Sequence, residues 1–137
     1  MSRFVTSMLM LLIVAIGCSK GDGLLRTKGR LLKGGQAFIP KSDERIRITF
    51  IPIPPDGSVP KNLYIAEVDQ TRGTFMPSGG QGKGMPEGKY RVAVELMKQR
   101  KDQFEGKFDE GDSPFVVDVT ATTAEIVIDL DNPPSAS

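Results

Sequence analysis

Histidine and tryptophan are absent from the 137 residues, and cysteine occurs once. Without imidazole the chain has no Ser–His or Cys–His nucleophile, no His-ligated zinc, iron or copper site, and no imidazole pH switch. A single Cys excludes an internal disulfide, a CxxC redox motif and a thiolate metal cluster. Charge of either sign is not in excess, with 18 Lys and Arg against 17 Asp and Glu. That balance argues against nucleic acid as the main partner, because phosphate binding needs a basic surface. What is present is ordinary for a globular chain, 39% hydrophobic and 26% charged. The 15 Gly and 10 Pro lean towards turns and strands over long helices. The length fits one domain.

The first seventeen residues read as an address. Arg3 is the only charge before Lys20, and Phe4 to Gly17 is nearly all apolar. A basic start followed by an apolar run too short to span a bilayer is the secretory signal pattern. The run ends at Ala15-Ile16-Gly17-Cys18, with a small residue directly before the only Cys. Removal of residues 1–17 takes Arg3 away and leaves seventeen cations against seventeen acids. A neutral mature chain argues against electrostatic steering to DNA, RNA or an anionic membrane surface. Residues 18–24 are polar and Gly-rich at their centre, as suits a flexible tether.

From there the pattern alternates with period two, the mark of half-buried strands. Arg45 to Ile51 places Ile46, Ile48 and Phe50 on one face. Leu63 to Asp69 does the same with Tyr64, Ala66 and Val68, and Lys89 to Met97 with Tyr90, Val92, Val94 and Leu96. Phe115 to Val119 and Glu125 to Leu130 repeat it, and Arg26 to Leu32 and Thr74 to Pro77 are weaker strands. Thr71-Arg72-Gly73 closes a tight hairpin, and Ser78 to Gly88 is a Gly-rich connection. Met97 to Phe104 reads as a loop or short helical turn. Seven short strands predict an all-β domain, a β-sandwich over 25–131, with a disordered tail at 132–137.

Three stretches carry a resemblance. Thr27 to Ile39 is an opening strand that turns through Gly34-Gly35. Ala66 to Pro77 holds Asp69, Gly73 and Phe75 in a D-x-x-x-G-x-F arrangement, and Gly84 to Val94 holds Gly84, Pro86, Gly88 and Tyr90. Together they resemble the transthyretin-like (prealbumin-like), carboxypeptidase regulatory-like β-sandwich, especially small lipoproteins of planctomycete-type bacteria. Gly17-Cys18 likewise resembles a lipobox, which implies cleavage before Cys18 and lipidation of its thiol. Ala15 and Ile16 depart from the usual lipobox residues. The resemblance implies structural roles for the motif residues, not catalytic ones. Asp69 and Gly73 form a turn, where Asp bonds its own backbone and Gly supplies positive φ, and Tyr90 packs across the sandwich. Hydroxyisourate hydrolases and intradiol dioxygenases, which share this or a related fold, rely on His, which is absent here.

Other clusters invite chemistry and meet a plainer reading. Gly79 to Gly84 contains a Lys, but Gly84 stands where a phosphate loop needs Ser or Thr, and a strand follows instead of a helix. Asp109, Glu110 and Asp112, with Asp102 and Glu105 nearby, offer oxygens for calcium but lack the calcium-loop spacing. They balance Lys98, Arg100, Lys101 and Lys107 as a solvated loop. Asp129, Asp131 and Asn132 form a second oxygen-rich patch, read as a cap that keeps the last strand soluble.

The expectation is therefore a non-enzymatic, lipid-anchored envelope protein without metal or cofactor, exported to the outer membrane or the periplasmic face. It acts as a module for protein or glycan contact. The surfaces to test are the loops at Lys61 and at Gly79 to Gly88, and the excursion from Lys98 to Asp112. A purely structural protein that self-associates through edge strands is the alternative. A carboxylate-based hydrolase is the third reading.

Overall fold

The computed structural model describes residues 23–79 and 82–134. The leader at 1–17 and Cys18 lie outside the described residues. None of the described residues is in an α-helix. The described residues are all-β, with eleven strands: β1 (Leu24–Leu25), β2 (Gly29–Lys33), β3 (Gln36–Ala37), β4 (Arg45–Pro52), β5 (Tyr64–Asp69), β6 (Thr74–Pro77), β7 (Met85–Pro86), β8 (Gly88–Lys98), β9 (Lys101–Asp102), β10 (Val116–Val119) and β11 (Ile126–Asp129). The strand order is β10-β8-β4-β5-β6-β2-β11, with β3 added to β2 and β9 to β8, while β1 pairs with β7 apart from this sheet. All pairs are antiparallel except β2 with β11.

The sheet curls at β5. Its first residues pair with β4, Tyr64 opposite Phe50, and its last four pair with β6. The strand parts from β4 as it passes to β6, and Gln70 fills the gap. Its side-chain amide accepts from the Ile46 N–H (2.9 Å) and donates to the Ile46 carbonyl (3.0 Å), as a strand backbone would. The curl sends the inward side chains of both halves into one core, an arrangement consistent with a β-sandwich. Ile46, Ile48 and Phe50 of β4 and Val92 and Val94 of β8 meet Leu31, Phe75, Ile126 and Ile128 of the other half. Phe50 lies 6.0 Å from both Phe75 and Tyr90. The inward residues on β4, β8 and β11 are the ones the alternation marks.

Three local readings change. The expected loop or helical turn at Met97 to Phe104 is a hairpin: β8 runs on to Lys98, and Gln99 and Arg100 turn the chain into β9 with φ of 48° and 66°. Two positive-φ residues match the twist of the flanking strands, a turn normally signalled by Asn-Gly and here spelled Gln-Arg. Second, Leu24, placed in the tether from sequence, opens β1 opposite Pro86. Third, Asn132, the first residue of the expected tail, bonds back to Asp129 through its backbone and side chain.

Candidate functional site

The motif residues fall into two groups at opposite ends of the strands. Asp69 ends β5, and its Oδ1 accepts from the Thr71 N–H (2.9 Å) and hydroxyl (2.6 Å). The Thr71 hydroxyl is the main reason that its carboxyl sits below the usual range. The Asp69 carbonyl takes the Arg72 and Gly73 N–H groups. Gly73 has φ of 68°, and a Cβ there would lie 2.7 Å from the Phe38 carbonyl. The next motif residue, Phe75, is buried over Gly29, where a Cβ would meet the ring at 2.2 Å.

The second group gathers around Tyr90. Its ring packs edge-on to Phe50 and Tyr64, and its hydroxyl donates to the Pro86 carbonyl. Burial pushes its pKa up to about 12. Gly84 passes so close to the backbone of Leu25 that a Cβ would stand 2.2 Å from that carbonyl oxygen. Gly88 opens β8 opposite Val119. The motif residues shape turns and packing contacts, and Phe75 of the first group and Tyr90 of the second both lie 6.0 Å from Phe50.

Three of the acidic residues, Asp102, Asp109 and Asp129, accept from the backbone. Asp109 Oδ1 accepts from Gly111 and Asp112 (2.9 and 2.8 Å). Asp102 takes the N–H groups of Leu96, Phe104 and Gly106, each at 3.0 Å, and so shapes the hairpin beyond β8. Asp129 accepts from Gly34, Gly35, Asp131 and the Asn132 amide. The Asn132 amide is the largest of the influences that lower its carboxyl pKa. Sequence reading placed Asp129 as a cap of β11. It also ties down the β2–β3 turn, a partner 94 residues away that no local pattern reveals. Among the described residues, no group of three or more His, Cys, Asp or Glu side chains stands ready for a metal ion.

Two grooves remain. One of about 680 Å³ runs along the outer face of β2, β5 and β6. Two of its cations are engaged, Arg30 with Glu125 and Arg72 with Asp69. The other, about 480 Å³, crosses the outer face of β4, β5 and β8. Its floor is Thr49 and Ala93, directly opposite each other. One wall is Leu63 and Ile65, 45% and 57% exposed, and the other is Asp109, Glu110 and Gly111. The Arg47–Glu95 ion pair, 2.5 Å, closes one side. Two exposed aliphatic side chains beside a trough of small residues, facing an acidic wall, make this the candidate contact site. Alternation missed it, because Leu63 and Ile65 occupy the face that the pattern assigns to solvent. Compared with family models, curated proteins and solved structures, the chain gives no significant match.

Proposed function

We propose that this protein is an exported, lipid-anchored and non-enzymatic β-sandwich module of the prealbumin-like class, which uses the groove over Thr49 and Ala93 to hold a protein or glycan partner. The observation that carries the contact role is the exposed Leu63–Ile65 wall at that groove. Apolar side chains gathered at a concave surface favour a partner that covers them. The prealbumin-like reading is supported by the seven principal strands. They follow the order β10-β8-β4-β5-β6-β2-β11 around the curl at β5, and β2 and β11 run parallel. The anchor rests on the Gly17-Cys18 pattern after an apolar run. A structural role for the acids is supported by Asp69 and Asp129, whose carboxyls are lowered by hydrogen bonds, opposite to what a general acid needs.

Two measurements on protein from native membranes test this. Intact mass is expected to show a chain that starts at Cys18 and carries acyl groups, absent from Cys18→Ser. A photo-crosslinker at position 65 is expected to capture a discrete partner, while one at exposed Lys41 does not. An unmodified chain, or equal capture from both positions, overturns the corresponding half.

Self-association is the second reading, favoured by one observation. β10 and β11 are the terminal strands of the sheet order, with Val116 and Val127 exposed on them. An open edge with apolar side chains is a template for strand addition. Sedimentation equilibrium separates the readings: a dimer dispersed by Val127→Lys favours edge pairing.

A further inference from the structure

Strand directions sort the connections into two ends. The proximal end, where the described chain begins at Gly23, holds residues 23–29, 51–65, 76–79 with 82–90, and 118–127. The distal end holds 32–46, 68–74, 97–117 and 128–134. The charge that cancels over the described residues does not cancel at either end. The proximal end carries five cations against four acids, and the distal end eight against ten. Arg30, opposite Thr74, lies between the two ends and is ion-paired with Glu125. Among the described residues, Arg26, Lys28, Lys61, Lys83 and Lys89 are exposed and in no ion pair, and Arg26 donates to the Lys83 carbonyl. At the same end Val59 is 86% exposed, two residues before Lys61.

Chain length adds a second constraint. Four residues lie between Cys18 and Gly23, and the five extended steps from one to the other cover at most about 18 Å. β8 alone, with 11 residues, is about 36 Å long at strand rise. An acyl group on Cys18 therefore holds the proximal end against the bilayer while the distal end stands a strand length away.

We propose that the proximal end is a membrane-docking face. Arg26, Lys61, Lys83 and Lys89 meet anionic lipid headgroups, and Val59 enters the boundary between headgroup and acyl chain. This rests on the lipidation proposed at Cys18. Its chemistry is that of a weak basic surface made effective by a short tether: each cation held within a Debye length of an anionic surface is attracted to it. Neutral net charge, which argues against such attraction for a diffusing chain, does not argue against it for one that is held and oriented. The acidic distal loops then face outward.

The test is a lysine footprint on the mature protein purified from native membranes. The protein is reconstituted on vesicles of three parts phosphatidylcholine to one part phosphatidylglycerol and treated with a water-soluble acetylating reagent. Lys61, Lys83 and Lys89 are expected to react about fivefold more slowly than Lys41, Lys101 and Lys107. The difference shrinks on vesicles of phosphatidylcholine alone, and also in about 1 M salt, where screening acts within about 3 Å. The variant K61E/K83E/K89E is expected to show no dependence of Arg26 and Val59 hydrogen exchange on phosphatidylglycerol. Equal reactivity of the two lysine sets in an acylated protein overturns the docking face and leaves the anchor standing. If intact mass shows no acyl group, the anchor fails instead. The docking face, which rests on that anchor, is then overturned with it.

Discussion

Gly84 and Gly82 both have positive φ, yet their surroundings differ, and the contrast separates backbone strain from collision. A Cβ at Gly84 would meet the Leu25 carbonyl at 2.2 Å, whereas Gly82 has open space around it. Gly82→Ala is expected to cost about 1 kcal/mol from φ alone, and Gly84→Ala about 3 kcal/mol or more. Urea midpoints of the two variants measure this. Tyr90 supports a second residue-scale prediction. Its pKa is raised to about 12 by burial, against about 10 in an unfolded chain. The phenol then stays protonated in the fold where the unfolded chain has lost its proton. Stability is full below pH 10 and falls between about pH 10 and 12, by on the order of 2 kcal/mol. Tyr90→Phe removes that slope, and it also lowers neutral-pH stability by about 1 kcal/mol through loss of the bond to Pro86. Asp69 and Asp129 act with the opposite sign. Their carboxyls are lowered, so their support is present above the ordinary carboxylate pKa and is lost as the pH falls through the folded value.

Between elements, two side chains replace structure that the backbone does not supply. Gln70 completes the β4 ladder at Ile46 with both halves of its amide. Gln70→Ala is expected to cost about 1–3 kcal/mol, because it leaves an N–H and a carbonyl unpaired in a half-buried place. Faster amide exchange at Ile46 is the accompanying sign. The β8–β9 hairpin turns on Gln99 and Arg100, which carry a conformation that asparagine and glycine adopt more readily. Gln99→Asn with Arg100→Gly is therefore expected to raise stability, by about 1–2 kcal/mol, seen as a higher thermal midpoint. This turn was not legible in the sequence, because neither residue type signals positive φ. The Asp69–Gly73 turn was legible: Asp bonds the chain two residues on, and Gly takes the left-handed position.

Across the whole molecule, Phe50 joins the halves. It is fully buried on β4 and touches Phe75 on β6 and Tyr90 on β8. Phe50→Ala is expected to cost about 3–5 kcal/mol, a large share of the 5–15 kcal/mol that holds an ordinary domain. Both halves share this core, so circular dichroism and tyrosine fluorescence should lose their signals in one transition at a lower midpoint. Two separate transitions would show that the halves fold independently.

Local residue pattern by itself determined the all-β class, the inward set on β4, β5, β8 and β11, and the turn at Asp69 to Gly73. These follow from period-two alternation and from backbone preferences that act within a few residues. The absence of His closed off imidazole chemistry before any fold was considered. Tertiary structure decided the rest. It alone showed Asp129 reaching the β2–β3 turn, Gln70 standing in for a strand, and Leu63 and Ile65 facing a groove whose other wall lies beyond β8. It also divided a neutral chain into a basic and an acidic end. The physical reason is range: alternation and turn chemistry are written in neighbouring residues, whereas grooves and charged faces are assembled from residues that only folding brings together.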